Sequence, residues 1–308
     1  MDETYARDLN IVVDKAKALH KPARVVIAGA DVENMLLGLF DAQESGFAEP
    51  ILVGNYKRIS DKLKQLGLEN RSFDLQPVND DVNVVQYSID LVRAGKADVL
   101  MRGNTQTRDF LLPVIKKSNA LLEDGLMTHV SVIKVPDYEK LLFISDVTMV
   151  VRPTNDDKIE IIRNMVKVMK TFKIADPKIA VLSRVETPSF PMRDTVEAQN
   201  LVRLNERNHF ADCTLVGPIP YDLIMSKEAA RLKNYDCPYC GEFDGIVMPD
   251  LQSANLLVKV LQMNSRANSC GVIAGAKVPI AITSRSDSKE QAYLSLAACA
   301  VMANKATL

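Results

Sequence analysis

Two short stretches bring together residue types that can handle an anion. In the first, the apolar run 279–282 passes through Thr283 into Ser284-Arg285-Ser286-Asp287-Ser288, and a helical pattern follows from about Ser288 to Asn304. A strand that ends in Thr-Ser-Arg at a helix N-terminus offers backbone N–H groups, the positive end of the helix dipole and a planar two-pronged donor. That combination suits a phosphate or an acyl phosphate. The second stretch is Arg102-Gly103-Asn104-Thr105, a strand-to-helix turn in which Gly103 lets backbone come close to a ligand and Asn104 or Thr105 can donate hydrogen bonds. The same four residues also suit an ordinary βα loop with a capping threonine, which is the commoner meaning of such a turn. Asp287-x-x-Glu290 reads as a capping box, giving Asp287 an N-cap role ahead of a catalytic one.

Other chemistry-bearing residues have blander explanations. His129, within Met127-Thr128-His129-Val130-Ser131-Val132, sits at the start of an apolar strand, where a lone histidine is more often a structural hydrogen-bonding residue than a working one. Cys237-Pro238-Tyr239-Cys240 has the spacing of a redox pair, but that role needs a preceding strand and a helix starting at the motif. Its flanks, Lys233-Asn234-Tyr235-Asp236 and Gly241-Glu242-Phe243-Asp244-Gly245, read instead as a surface loop. No second C-x-x-C and no nearby histidine completes a zinc site. G-x-G-x-x-G, Walker A and G-x-S-x-G are all absent from the sequence.

These residues must be positioned by a regular scaffold, and the chain alternates strand and helix patterns throughout. Apolar runs at 24–28, 51–53, 97–101, 141–144, 178–182, 214–216, 245–248, 272–274 and 279–282 read as strands. Between them lie helical stripes, such as Ile59, Leu63 and Leu66, or Ile159, Ile162, Val166 and Met169. Asp31 is the expected N-cap of the helix 31–44, with Gly46 as its stop. The order predicts an α/β protein with largely parallel sheets covered by helices. Ligands of such sheets sit outside the carboxyl ends of strands, where Arg102-Gly103, Asp146, Asp250 and Ser284-Arg285 all fall.

Length and composition fit that picture. The 308 residues suffice for two domains, with 47% hydrophobic and 25% charged residues and a net charge of −1. So balanced a charge leaves no electrostatic footprint for nucleic acid. No uncharged apolar run reaches about 18 residues, so no membrane span is expected. Met1-Asp2-Glu3-Thr4 is acidic and lacks a signal-peptide core, and five cysteines without framework spacing suit a reducing cytoplasm. The expected location is cytoplasmic.

With these residues in view, the chain resembles the phosphate acetyl/butyryltransferases, and the butyryl branch most. The resemblance runs from about Arg24 to Asn304. It rests on the stretches 48–54 and 97–103, on His129-Val130-Ser131-Val132, and on 141–146 ending in Ser145-Asp146. It continues through Gly217-Pro218 with Asp222 and Pro249-Asp250 with Asn255, and ends in Gly275-Ala276-Lys277-Val278-Pro279 through Ser284-Arg285, the most specific segment.

What the resemblance implies is the reaction acyl-CoA + phosphate = acyl phosphate + CoA, on a short acyl group such as butyryl or a branched relative. It further implies two α/β domains of isocitrate/isopropylmalate dehydrogenase-like architecture around a cleft, and a homodimer. The first domain would take 1–139 plus 274–308 and the second 140–273. No resident cofactor or metal is implied; CoA is a substrate, and the partners are CoA, short acyl-CoA, phosphate and acyl phosphate, with neither nucleic acid nor membrane. Ser284 would orient the thiol or the phosphate and Arg285 would bind phosphate. Arg102 stands where the butyryl branch carries lysine. Gly103, Asn104, Thr105, Ser131, Asp146, Gly275 and Lys277 complete the expected substrate contacts.

The departures from the family pattern are specific. The acetyl branch has an aspartate, often taken as thiol base, where this chain has Gln291, and an arginine where this chain has His129. His129 is therefore the expected base or phosphate contact. Met149-Val150 replaces the Met-Asn of the butyryl branch, and Arg152 and Arg193 replace smaller residues. The rival readings are acetyl specificity, a non-catalytic CoA- or acyl-phosphate-binding protein, a nicotinamide-dependent dehydrogenase of similar architecture, and a redox role for Cys237 and Cys240.

Overall fold

The computed structural model describes residues 8–79, 83–123, 125–265, 267–284 and 287–304. By contact the chain divides into two units. A split unit combines Asn10–Met127 with the segment from Cys270 onward, and a middle unit is built on Thr128–Ser269. The boundaries read from the sequence were near 139 and 274.

The split unit begins with α1 (Asn10–Lys17), β1 (Ala23–Ala28), α2 (Glu33–Glu44), β2 (Ala48–Gly54) and α3 (Tyr56–Leu66). It continues through β3 (Asp74–Pro77), α4 (Val84–Arg93), β4 (Val99–Arg102) and α5 (Thr107–Ile115). The middle unit holds β5 (Thr128–Lys134), β6 (Leu142–Ser145), α6 (Asn155–Thr171), β7 (Lys178–Leu182) and α7 (Arg193–Asn208). Then come β8 (Thr214–Ile219), α8 (Tyr221–Met225), α9 (Lys227–Leu232), β9 (Gly245–Val247) and α10 (Leu251–Asn264). The chain returns through β10 (Asn268–Ala274), β11 (Ile280–Ala281) and α11 (Lys289–Ala303).

In the split unit the strands lie in the order β3-β2-β1-β4-β11-β10. All neighbours are parallel except β10 and β11, which pair antiparallel with Ile273 opposite Ile280. In the middle unit the order is β5-β6-β9-β7-β8, and only β5 and β6 are antiparallel. The expectation of an α/β fold with mostly parallel pairing is met.

β1 explains why: Val25, Val26, Ile27 and Ala28 are fully buried, as an unbroken apolar run must be when helices cover both faces. Each such branched side chain contributes about 1.5–3 kcal/mol of burial. At the amino edge the Arg24 guanidinium grips the Asp98 carboxylate through Nε at 2.8 Å and Nη2 at 2.6 Å, and the Arg24 N–H adds a third bond. The strands β1 and β4 are thus pinned together at the edge away from their carboxyl ends.

Two expected helix caps are corrected. α2 is entered through Val32 without a side-chain cap, and Asp31 instead accepts a bond from the Asn104 amide at 3.2 Å. α11 is capped by Ser288, whose hydroxyl accepts from the Gln291 N–H while Gln291 Oε1 accepts from the Ser288 N–H. The capping box therefore lies one residue after Asp287-Glu290. The stretch read as a surface loop around Cys237 is also partly interior: Cys240 belongs to the middle unit's core, and Tyr235, Cys237 and Tyr239 pack on that core.

Candidate functional site

The carboxyl edge of the split unit is shaped by one close backbone approach. Gly29 leaves β1 with φ +84°, a conformation that favours glycine. Gly103 leaves β4 beside it, donating its N–H to Ala28 O at 3.0 Å while Asn104 N donates to Gly29 O at 2.8 Å. A Cβ on Gly103 would sit 2.1 Å from Gly29 O and 2.6 Å from Ala28 O. The close approach expected of Gly103 is therefore to the end of β1, with no room between for a ligand atom.

Arg102, the last residue of β4, is only 5% exposed. Its Nη1 donates to the Thr107 hydroxyl at 2.7 Å and its Nη2 to the Thr283 carbonyl. These bonds tie the start of α5 to the segment that leaves β11. Beyond Thr283, Ser284 N donates to Asp287 Oδ2 at 2.6 Å and Asp287 N returns a bond to Ser284 O at 3.0 Å. Asn34 Nδ2, from the first turn of α2, holds the Asp287 carbonyl at 3.0 Å. Asp287 thus organises the turn that carries Ser284. Arg285 lies outside the described residues. The Thr105 and Thr283 hydroxyl oxygens are buried with no hydrogen-bond partner, which leaves both able to bond a guest.

A cavity of about 510 Å³ opens at this edge, over the carboxyl ends of β1, β2 and β4. Its walls include Gly29, Asp31, Gly54 and Asn55 at the strand ends, and Asn104, Thr105 and Gln106 on the β4–α5 turn. Of the expected contacts, the fold gathers Arg102, Gly103, Asn104, Thr105 and Ser284 on the carboxyl ends of the adjacent strands β4 and β11. Gly275 and Lys277 do not join them. The antiparallel β10–β11 pairing puts their turn at the amino end of β11, where Lys277 N donates to Leu121 O and Gly275 O accepts from Glu123 N. Lys277 is exposed there. Their motif builds a hairpin and a clasp, which parallel-strand reasoning could not foresee.

In the middle unit, His129 and Asp146 meet through the backbone. Asp146 Oδ1 accepts the N–H groups of His129 and Thr148 at 3.0 Å, and Oδ2 accepts Val150 N at 2.7 Å, with Met149 N bridging both oxygens. Burial pushes the Asp146 carboxyl above its usual range, while these backbone donors favour the anion. The carboxylate is spent on its own turn. Its effect is to fix Thr148, whose hydroxyl lies 2.6 Å from His129 Nδ1 and sets the ring. Met149 and Val150 serve this turn through their N–H groups, so the departure at 150 leaves it intact. Ser131 lies two residues along β5 on the same face as His129, buried and opposite Ile144.

Residues that sequence reasoning missed include Asn34, Thr107, Thr148 and the cavity walls Arg58 and Asn83. Asn83 had a legible signal, an Asn just before the α4 stripe, and it accepts bonds from Val85 N and Gln86 N. Thr148 and Asn34 act through tertiary contacts that leave no local pattern.

A family model described as "Phosphate acetyl/butaryl transferase" matches residues 75–301. The chain belongs to this family. Family relatives include the phosphate butyryltransferase of Clostridium acetobutylicum, 30% identical over 96% of this chain and 98% of that protein. The phosphate acetyltransferase of Thermotoga maritima is 31% identical over 92% of this chain and 96% of its own length. Among solved structures, a branched-chain phosphotransacylase from Enterococcus faecalis V583 superposes with a TM-score of 0.78, at 28% identity, covering 92% of this chain and 99% of that one.

Proposed function

We propose that this family member is a phosphate acyltransferase that moves a short acyl group, butyryl or a branched relative, reversibly between CoA and inorganic phosphate. Membership in the family carries this reading, and relatives of both the butyryl and acetyl types match nearly the whole chain. The site chemistry agrees with it. In the forward direction a phosphate oxygen attacks the thioester carbonyl, the tetrahedral oxyanion collapses, and the sulfur leaves with the proton that hydrogen phosphate gives up. Phosphate is a good leaving group in reverse, so no covalent enzyme intermediate is needed. The demanding step is handling the sulfur as thiolate, since a thiol near pKa 8.5 is mostly protonated at neutral pH.

Ser284 is assigned to orient the thiol or phosphate, and Arg285 to bind phosphate. Arg102 acts by holding Thr283 in place. Gln291 caps α11, and His129 is assigned as base or phosphate contact. CoA enters as substrate, and the reading includes no resident cofactor or metal. Its finer parts are a two-domain isocitrate/isopropylmalate dehydrogenase-like architecture, a homodimer and a cytoplasmic location; among the described residues no helix is long and apolar enough to cross a membrane.

The test is CoA thiol release from acetyl-, propionyl-, butyryl-, isobutyryl- and octanoyl-CoA, with and without phosphate. Phosphate-dependent release peaking at four carbons is expected. Ser284→Ala should lower kcat by on the order of 100-fold, the usual cost of losing one positioned donor. Release that ignores phosphate, or CoA binding without any release, overturns the assignment.

A further inference from the structure

β11 is too short to fix Ser284 by itself. Its pairing with β4 covers Ile280 and Ala281 and stops there, three residues before Ser284. One side of the gap is closed by Arg102, which holds the Thr283 carbonyl. The other side is closed by an element outside the β4–β11 pair, the helix α2.

Asn34, Gly38, Asp41 and Ser45 stand at i, i+4, i+7 and i+11 and so form one stripe along α2, with Ser45 as its C-cap. Each meets the start of α11 or the residue before its cap. Asn34 Nδ2 donates to the Asp287 carbonyl at 3.0 Å. Gly38 lets the two helices touch: a Cβ there would lie 2.6 Å from Lys289 O and 2.8 Å from Ala292 Cβ. Asp41 pairs with the Lys289 ammonium at 3.2 Å. The Ser45 and Tyr293 hydroxyls share a hydrogen bond of 2.9 Å, and the Tyr293 ring leans on Phe47 with centroids 5.3 Å apart. Exposed pairs such as Asp41 and Lys289 add little stability. What the stripe supplies is placement. The contact at Gly38 sets the distance between the helices, and Asn34 carries that distance into the turn before α11.

We propose that Asn34 is a positioning residue for the acyl transfer, acting on Ser284 through Asp287; this rests on the acyltransferase reading. The bonds form a continuous line. Asn34 Nδ2 holds Asp287 O, Asp287 Oδ2 accepts from Ser284 N at 2.6 Å, and Asp287 N returns a bond to Ser284 O at 3.0 Å. Both backbone groups of Ser284 are thus tied to Asp287, and the direction in which the hydroxyl leaves the backbone is referred to α2. A displacement of about 1 Å in such a group can cost up to about 100-fold in rate. Asn34 does not serve its own helix instead, since α2 is entered through Val32 with no side-chain cap.

Asn34→Leu keeps the volume, removes the donor and adds no charge. It should lower kcat for phosphate-dependent CoA release from butyryl-CoA about tenfold. Both KM values should stay within about twofold, because the interaction lost acts on the transition state. Asn34→Gln, which retains the amide, should recover most of the rate. In the Ser284→Ala background Asn34→Leu should cause no further loss, since the residue it places is gone. A second tenfold loss there would make the effect merely structural and overturn the proposal, as would a wild-type rate in Asn34→Leu. NMR of isotopically labelled protein reads the turn independently of turnover. The Ser284 amide proton, bonded to a carboxylate, should resonate downfield and move in Asn34→Leu but not in Asn34→Gln. An unmoved resonance in Asn34→Leu overturns the proposal. If no acyl-CoA is turned over yet this resonance moves, the positioning stands while the reaction falls.

Discussion

Individual residues in this protein often do something adjacent to what their type suggests. Gly103 is a glycine because β1 and β4 touch there, and a methyl group would meet two carbonyl oxygens of fixed backbone. Gly103→Ala should cost about 1–3 kcal/mol in urea unfolding and remove most activity by parting the two strand ends; wild-type stability and rate would sink this account. Gln291 stands where an acetyl-type enzyme has its aspartate, but it faces its own helix cap. α6 has the same box with Asp157 in the equivalent place, so an aspartate fits at 291 equally well. Gln291→Asp should therefore leave kcat within about twofold and fail to lower the pH at which the rate rises. A large gain in rate would mean that the side chain reaches substrate after all. The type and spacing of Ser284-Arg285 were legible because strand end, hydroxyl and guanidinium are contiguous. The bond from Ser284 N to the Asp287 carboxylate was not, because the helical pattern pointed Asp287 to the cap instead.

At the scale of elements, the apolar runs and stripes announced the strands and helices, since buried parallel strands and amphipathic helices have distinct periods. What the pattern could not give is strand direction. A two-residue strand such as β11 reads the same in either sense, and its antiparallel partner β10 carries Gly275 and Lys277 to the opposite edge from Ser284. The two edges of the split sheet do different work. The carboxyl edge keeps unpartnered hydroxyls and an open cavity, while the amino edge is locked by Arg24 and Asp98. Burial alone would raise the Asp98 pKa, but the Arg24 bonds outweigh it and hold the carboxyl below its usual range. A depressed pKa contributes stability that is fully present above the unfolded value, near 3.8, and lost as pH falls from there through the lower folded value. Asp98→Asn should accordingly lower stability by about 1 kcal/mol at pH 7, a figure already reduced for solvent screening of this half-exposed pair. The difference should shrink as pH falls through the depressed folded-state value. A constant difference across pH, read from parallel urea melts, would assign the effect to packing.

For the whole molecule, the surface left exposed bears on assembly. Leu256, Val260 and Met263 follow one another at i, i+4 and i+7 along α10 and are 64%, 42% and 76% exposed. Lys259 is the helix's single charged residue, and Gln252, Asn255 and Asn264 flank the stripe without charge. An apolar stripe on a helix is normally turned inward. In the proposed homodimer two copies of this face would meet antiparallel about a two-fold axis, with Lys259 at the flank of the stripe. A single stripe falls short of the roughly 800 Å² per partner typical of a stable interface, so in that dimer neighbouring surface would contribute while the stripe supplied the dry centre. Leu256→Asp combined with Met263→Asp places like charges on both copies of that centre. Sedimentation equilibrium should give twice the chain mass for the wild type and the chain mass for the double variant. The thermal midpoint of the separated chain should stay near the wild type's at high dilution, because both positions are exposed. A double variant that remains dimeric would move the interface elsewhere, and a wild type already monomeric at micromolar concentration would remove the homodimer from the proposed function.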